Sequence, residues 1–148
     1  MGVLTQKFVD KFIKERKEEH KRFVNSWSKK DRKKRKAFIK KHGFDYQDTW
    51  NLDASIAEFI LPRIIYLRDN HCGTPYIYHQ PYLTDEEYAN CATTDESSRK
   101  AAEDYNRDLD KIANGLYRYL TAGFIATDDE VVSEALHLLA EHFCQLWD

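Results

Sequence analysis

Apolar positions along this chain recur at spacings of three and four, the signature of a helix face. From residue 4 to 27, Leu4, Phe8, Phe12, Phe23 and Trp27 mark one stripe, which Val9, Ile13 and Val24 widen. Between Glu15 and Arg22 the pattern is polar all round, so a helix over 4–27 is expected to project there. A second helix is expected over 29–42. Its apolar anchors are Ala37, Phe38 and Ile39, and Gly43 supplies a left-handed stop.

After an aromatic connector, Phe44 to Asn51, Leu52, Ile56, Phe59, Ile60, Ile64 and Leu67 predict a third helix over 52–68, capped by Asn51 or Asp53. Pro62 inside it removes one backbone hydrogen bond and predicts a kink near Glu58 to Pro62. Residues Asn70 to Tyr82, with Gly73, Pro75 and Pro81, read as one long irregular loop, and Thr84-Asp85-Glu86-Glu87 as the start of a short helix over 84–92. A polar linker, Thr93 to Ser98, precedes helix four, over 97–121, which places Ala102, Tyr105, Leu109, Ile112, Leu116 and Leu120 on one face before Gly123 breaks it. Thr127 is expected to cap the last helix, with Asp128, Asp129 and Glu130 in its first turn. Val131, Ala135, Leu138, Leu139, Phe143 and Leu146 are expected to be buried. The fold class that follows is all-α: an irregular bundle of about four to five helices with one long Pro/Gly/Tyr loop.

Composition agrees with long helices. The 148 residues include only five Gly and three Pro, and 42% are hydrophobic, enough for one core. No stretch has the length and apolarity of a signal peptide or a membrane span. Three sparse cysteines, Cys72, Cys91 and Cys144, read as free thiols and point to the cytoplasm. No membrane partner is expected.

Charge changes the picture more. Residues 1–43 hold 16 Lys and Arg against 5 Asp and Glu, while the remainder holds 7 against 20. The net charge of −2 therefore hides a basic helical arm, 1–43, and an acidic helical body, 44–148, within one domain overall. The densest cations are Lys29, Lys30, Arg32, Lys33, Lys34, Arg35 and Lys36, followed by Lys40 and Lys41. Such a helix can meet phosphates or dock on an acidic protein surface. It can also remain a solvated face, or fold back on the acidic half of its own chain or of a dimer mate. Phe23, Trp27 and Phe38 nearby have helical spacing and read as packing.

Catalytic chemistry is not legible. His71, Cys72, His79 and Cys91 are zinc-type residues without paired ligand spacing. His137 and His142 lie five apart and diverge on a helix. Glu103, Asp104, Asp108 and Asp110, and then Asp128, Asp129, Glu130 and Glu134, are the kind of oxygen donors that metal-dependent all-α nucleotide phosphohydrolases use, but they lie mostly on the polar side of each stripe. No metal or cofactor is expected. One polar cluster is expected in the core around helix three: Trp50, Asp53, Glu58 and Arg63, with Arg68 and Asp69 beside them.

The run Asp48-Thr49-Trp50-Asn51-Leu52-Asp53, then Ile56-Ala57 and Phe59-Ile60-Leu61-Pro62-Arg63, resembles a group of small uncharacterised proteins of tailed bacteriophages and prophages. Gly73-Thr74-Pro75 and the closing Leu138-Leu139 and Phe143 to Trp147 extend the resemblance over roughly 38–82 and 131–148. The chain departs from the group around helix four, where the group tends to carry a tryptophan and a methionine, and the basic opening lies outside it. The resemblance implies no activity.

Together these readings lead to a non-enzymatic, phage-encoded accessory protein that binds a host or phage macromolecule. A protein partner ranks first, with inhibition of a host defence complex as one form. A nucleic-acid binder using 29–41 and a phosphohydrolase are the alternatives, and a homo-oligomer stays open.

Overall fold

The computed structural model describes residues 2–122 and 129–147, and every regular element among them is helical. Seven α-helices form among the described residues, more than the four to five expected. They are α1 (Gln6–Asn25), α2 (Lys29–His42), α3 (Leu52–Asn70), α4 (Tyr76–His79), α5 (Asp85–Ala89), α6 (Asp95–Ala122) and α7 (Glu130–Glu141). Short 3-10 turns occupy Tyr46–Thr49, Gln80–Tyr82 and Phe143–Gln145.

α5 is the short helix expected from Thr84 to Glu87, and the unexpected one is α4. The segment read as a loop is helical in its second half: Pro75 fixes the entry to α4, which lays Tyr78 on α6, and Pro81 sits within the 3-10 turn that follows. Thr84 and Glu87 satisfy each other's backbone donors in a capping box that starts α5.

The 28-residue α6 is the hub. Tyr105, Leu109, Ile112, Ala113 and Leu116 bury one side of it against Ala57, Leu61, Ile64 and Ile65 of α3 and Val9 and Ile13 of α1. Each large aliphatic side chain buried this way contributes about 1.5–3 kcal/mol. Arg68 closes the end of this core. Its guanidinium donates to Asp69 at 2.8 Å, to the Leu4 carbonyl at 2.8 Å and to Asp110 of α6. The opening residues of the basic arm are therefore part of the body, and Arg16 adds a further tie by donating to Glu58 of α3 and to the Leu120 carbonyl of α6. α3 continues as helix through Pro62.

At the C-terminal end the helix starts two residues later than expected. Asp129, not Thr127, caps α7, accepting from the backbone N–H of Val131 and Val132. Thr127 and Gly123 lie outside the described residues. Val132 and Ala135 are buried while Val131 is exposed, and Phe143 is exposed because the α-helix has already ended at Glu141.

Candidate functional site

The projecting element is α2. Ser28 caps it, accepting from the Asp31 N–H, and Gly43 ends it at φ 79°. At 100° per residue, Phe38, Asp31, His42, Arg35 and Ile39 fall on one side. Arg32, Lys36, Lys29, Lys40, Lys33, Lys30, Lys41 and Lys34 spread over the remaining arc of about 200°, broken only by Ala37.

The narrow side is what attaches the helix. The Phe38 ring meets Phe44 edge-on at 5.6 Å and Tyr46 at 5.4 Å, and Tyr46 in turn stacks loosely on Trp27 at 6.3 Å. Under these rings Arg35 donates to Asp45, whose carboxylate is buried. Asp45 also accepts the Gln47 N–H at 3.2 Å and has His20 Nε2 at 3.9 Å. Removing this carboxylate from water is tolerable only because the guanidinium and the amide replace its hydration. One arginine of the nine cations is thus structural.

The other eight meet no carboxylate among the described residues, and no residue of α2 is buried. Several of the body's carboxylates are held instead by its own cations and hydroxyls. Arg107 pairs with Asp104 at 2.6 Å, Lys111 with Glu134 at 2.7 Å, Arg99 with Glu103 at 2.6 Å, and Arg118 with Asp129. Asp104 also accepts from the Tyr82 hydroxyl and Asp108 from the Tyr78 hydroxyl, the latter at 3.1 Å. The Tyr82 hydrogen bond holds the Asp104 carboxyl below its ordinary value, and burial pushes the Tyr78 phenol up.

No family model, curated protein or solved structure matches this chain. Function therefore rests on this surface and on what its chemistry can recognise.

The cluster expected around helix three does not form. Asp53 accepts from Tyr119 of α6, which holds its carboxyl below the ordinary value; Glu58 accepts from Arg16 of α1 at 2.6 Å; Arg63 lies outward over the Phe59 ring at 3.6 Å; and Trp50 is 63% exposed. Positions 53, 58 and 63 point in different directions around one helix, so each side chain finds a partner on a different element. Among the described residues no three His, Cys, Asp or Glu side chains gather as metal ligands. His71 spends its two ring nitrogens on the Gly73 carbonyl at 2.7 Å and Asn106 Oδ1 at 2.8 Å, while Cys72 and Cys91 are exposed.

Sequence reasoning missed Asp45. Its signal was its place: an acid two residues beyond Gly43, inside the aromatic connector and ten residues after Arg35.

Proposed function

We propose that this chain acts by binding, that α2 is its docking helix, and that the partner presents a dense array of phosphates, as a nucleic-acid backbone does. The observation that carries this is the 200° cationic arc. A flat acidic protein patch engages one face of a helix and leaves the opposite cations solvated. A helix cationic over more than half its circumference fits between two anionic walls, and the major groove of duplex DNA admits a helix of this diameter. The 14-residue α2 spans about 21 Å. Its exposed cations are lysines with one arginine. Lysine is a compact point charge without the planar fork that reads guanine, so the contact is to backbone and independent of sequence.

The resemblance of the Trp50 to Arg63 element to tailed-phage proteins sets this reading among phage accessory proteins, where the nucleic acid belongs to the phage or its host. An acidic protein surface, including that of a defence complex the chain inhibits, is the competing partner.

Anisotropy of labelled duplex and single-stranded oligonucleotides, titrated at several salt concentrations, tests the proposal. Binding at low salt is expected, with log K falling linearly in log salt at a slope of about −0.9 per phosphate on duplex. Lys33→Glu with Lys36→Glu should abolish it. No binding at low salt, or binding that these substitutions leave intact, rules the reading out.

A further inference from the structure

α3 carries a second surface that the anion-binding reading leaves unused. Its inner face packs on α6 and α1, yet a narrow strip on the far side follows spacings of four, three, four and three: Leu52, Ile56, Phe59, Arg63 and Tyr66. These positions fall within an arc of roughly 80°, the width of a coiled-coil seam and not of a globular core face. They are open to solvent: Leu52 is 53% exposed, Ile56 48%, Phe59 60% and Tyr66 61%.

We infer that this strip docks on the same strip of a second copy of the chain, with the two α3 helices antiparallel about a two-fold axis between Phe59 and Arg63. Three observations select this occupant. The first is the alternating four-three spacing, which presents knobs to another helix bearing the same repeat. The second is the charge in the strip. Arg63 is the only ionic group within it, and it stacks over Phe59 with its Nη1 donating to the Phe59 carbonyl at 2.6 Å. No carboxylate on the strip calls for a basic partner, and the guanidinium is already turned onto an aromatic face. A two-fold axis between positions 59 and 63 brings each Arg63 to the Phe59 of the other copy, so the one cation meets a π-face across the interface as it does within its own helix. The third is area. The exposed parts of the four apolar residues amount to roughly 450 Å² on each chain. Two copies therefore remove on the order of 1,000 Å² from the apolar strips alone, near the lower bound for specific interfaces, and polar rim residues such as Ser55 add to it.

The test is the oligomeric state of the full chain without nucleic acid, so its outcome is independent of what α2 binds. Light scattering coupled to size exclusion across the micromolar range should give twice the 17.5 kDa chain mass. Ile56→Glu with Phe59→Glu, both at solvent-exposed positions, should give the single-chain mass with an unchanged far-UV spectrum. A photo-reactive phenylalanine at position 59 in the otherwise unaltered chain should cross-link to α3 of the second copy, which decides the matter if the double variant fails to fold. A monomeric parent chain, a dimer that survives the double substitution with its fold intact, or a cross-link to any element other than α3 overturns the inference.

Discussion

Gly115 of α6 lies so close to Ala135 of α7 that a Cβ built on it would stand 2.1 Å from the alanine Cβ and 2.9 Å from the Val131 carbonyl oxygen. The glycine is what lets the two helices approach, and it is buried in their seam. Gly115→Ala gains the helix propensity of alanine, worth up to about 1 kcal/mol, but forces the backbones apart. Overpacking of this kind costs about 1–3 kcal/mol, so a net loss is expected, read as a lower urea midpoint with the slope unchanged. A variant as stable as the parent would show that α7 shifts freely.

Asp45→Asn leaves Arg35 without its ion pair under the aromatic rings. A hydrogen bond to a charged partner contributes about 1.5–3 kcal/mol, so amide exchange in α2 and the Tyr46 turn should accelerate by at least about tenfold. Exchange in α6 should not change, because the carboxylate serves the arm and not the core. Acceleration spread evenly over the molecule would contradict this division.

Arg68→Met should destabilise the whole fold. The guanidinium ties the Leu4 carbonyl, Asp69 and Asp110 together from a site that is itself nearly closed to water. Breaking such a pair costs up to about 3–5 kcal/mol when fully buried, and Asp110, a third exposed, recovers part of that in solvent. A thermal midpoint several degrees lower is expected, together with protease cleavage ahead of α1.

The Tyr82 and Asp104 pair sets a pH dependence. The hydrogen bond from Tyr82, with help from Arg107, holds Asp104 below the ordinary aspartate value of 3.8. The stabilisation is complete above 3.8 and is lost as pH falls through the lower folded-state value. The same bond raises the Tyr82 phenol above 10.0, so its contribution is complete below 10.0 and disappears as pH rises through the folded-state value. Asp104→Asn should thus be less stable than the parent at neutral pH, with the gap narrowing in acid below pH 4. Urea midpoints measured across the acid range check this; a gap that stays constant would sink it.

How much of this was readable from the residues depended on range. The end of α2 was readable from Gly43, and the inner face of α6 from the spacing of Tyr105, Leu109, Ile112 and Leu116, because caps and periodicity act within a turn or two. Tyr76 to Tyr82 was misread since Pro and Gly signal a break, while burial of Tyr78 on α6 favours a helical turn there, and that is a tertiary effect. The polar cluster failed for a related reason. Partner choice for Asp53, Glu58 and Arg63 is made by Tyr119, Arg16 and Phe59, and two of these lie on other helices far along the chain. The outward direction of the lysines needed the fold as well, for the chain holds enough carboxylates to have neutralised them.

Because the eight outward cations of α2 pair with no carboxylate among the described residues while the core is apolar, dissolved ions act on the two regions unequally. Salt weakens what the lysine helix holds long before it disturbs an apolar interior closed by short, partly covered pairs. Captured on a phosphate-bearing resin, the protein should elute with rising salt while still folded, and rebind once the eluate is diluted.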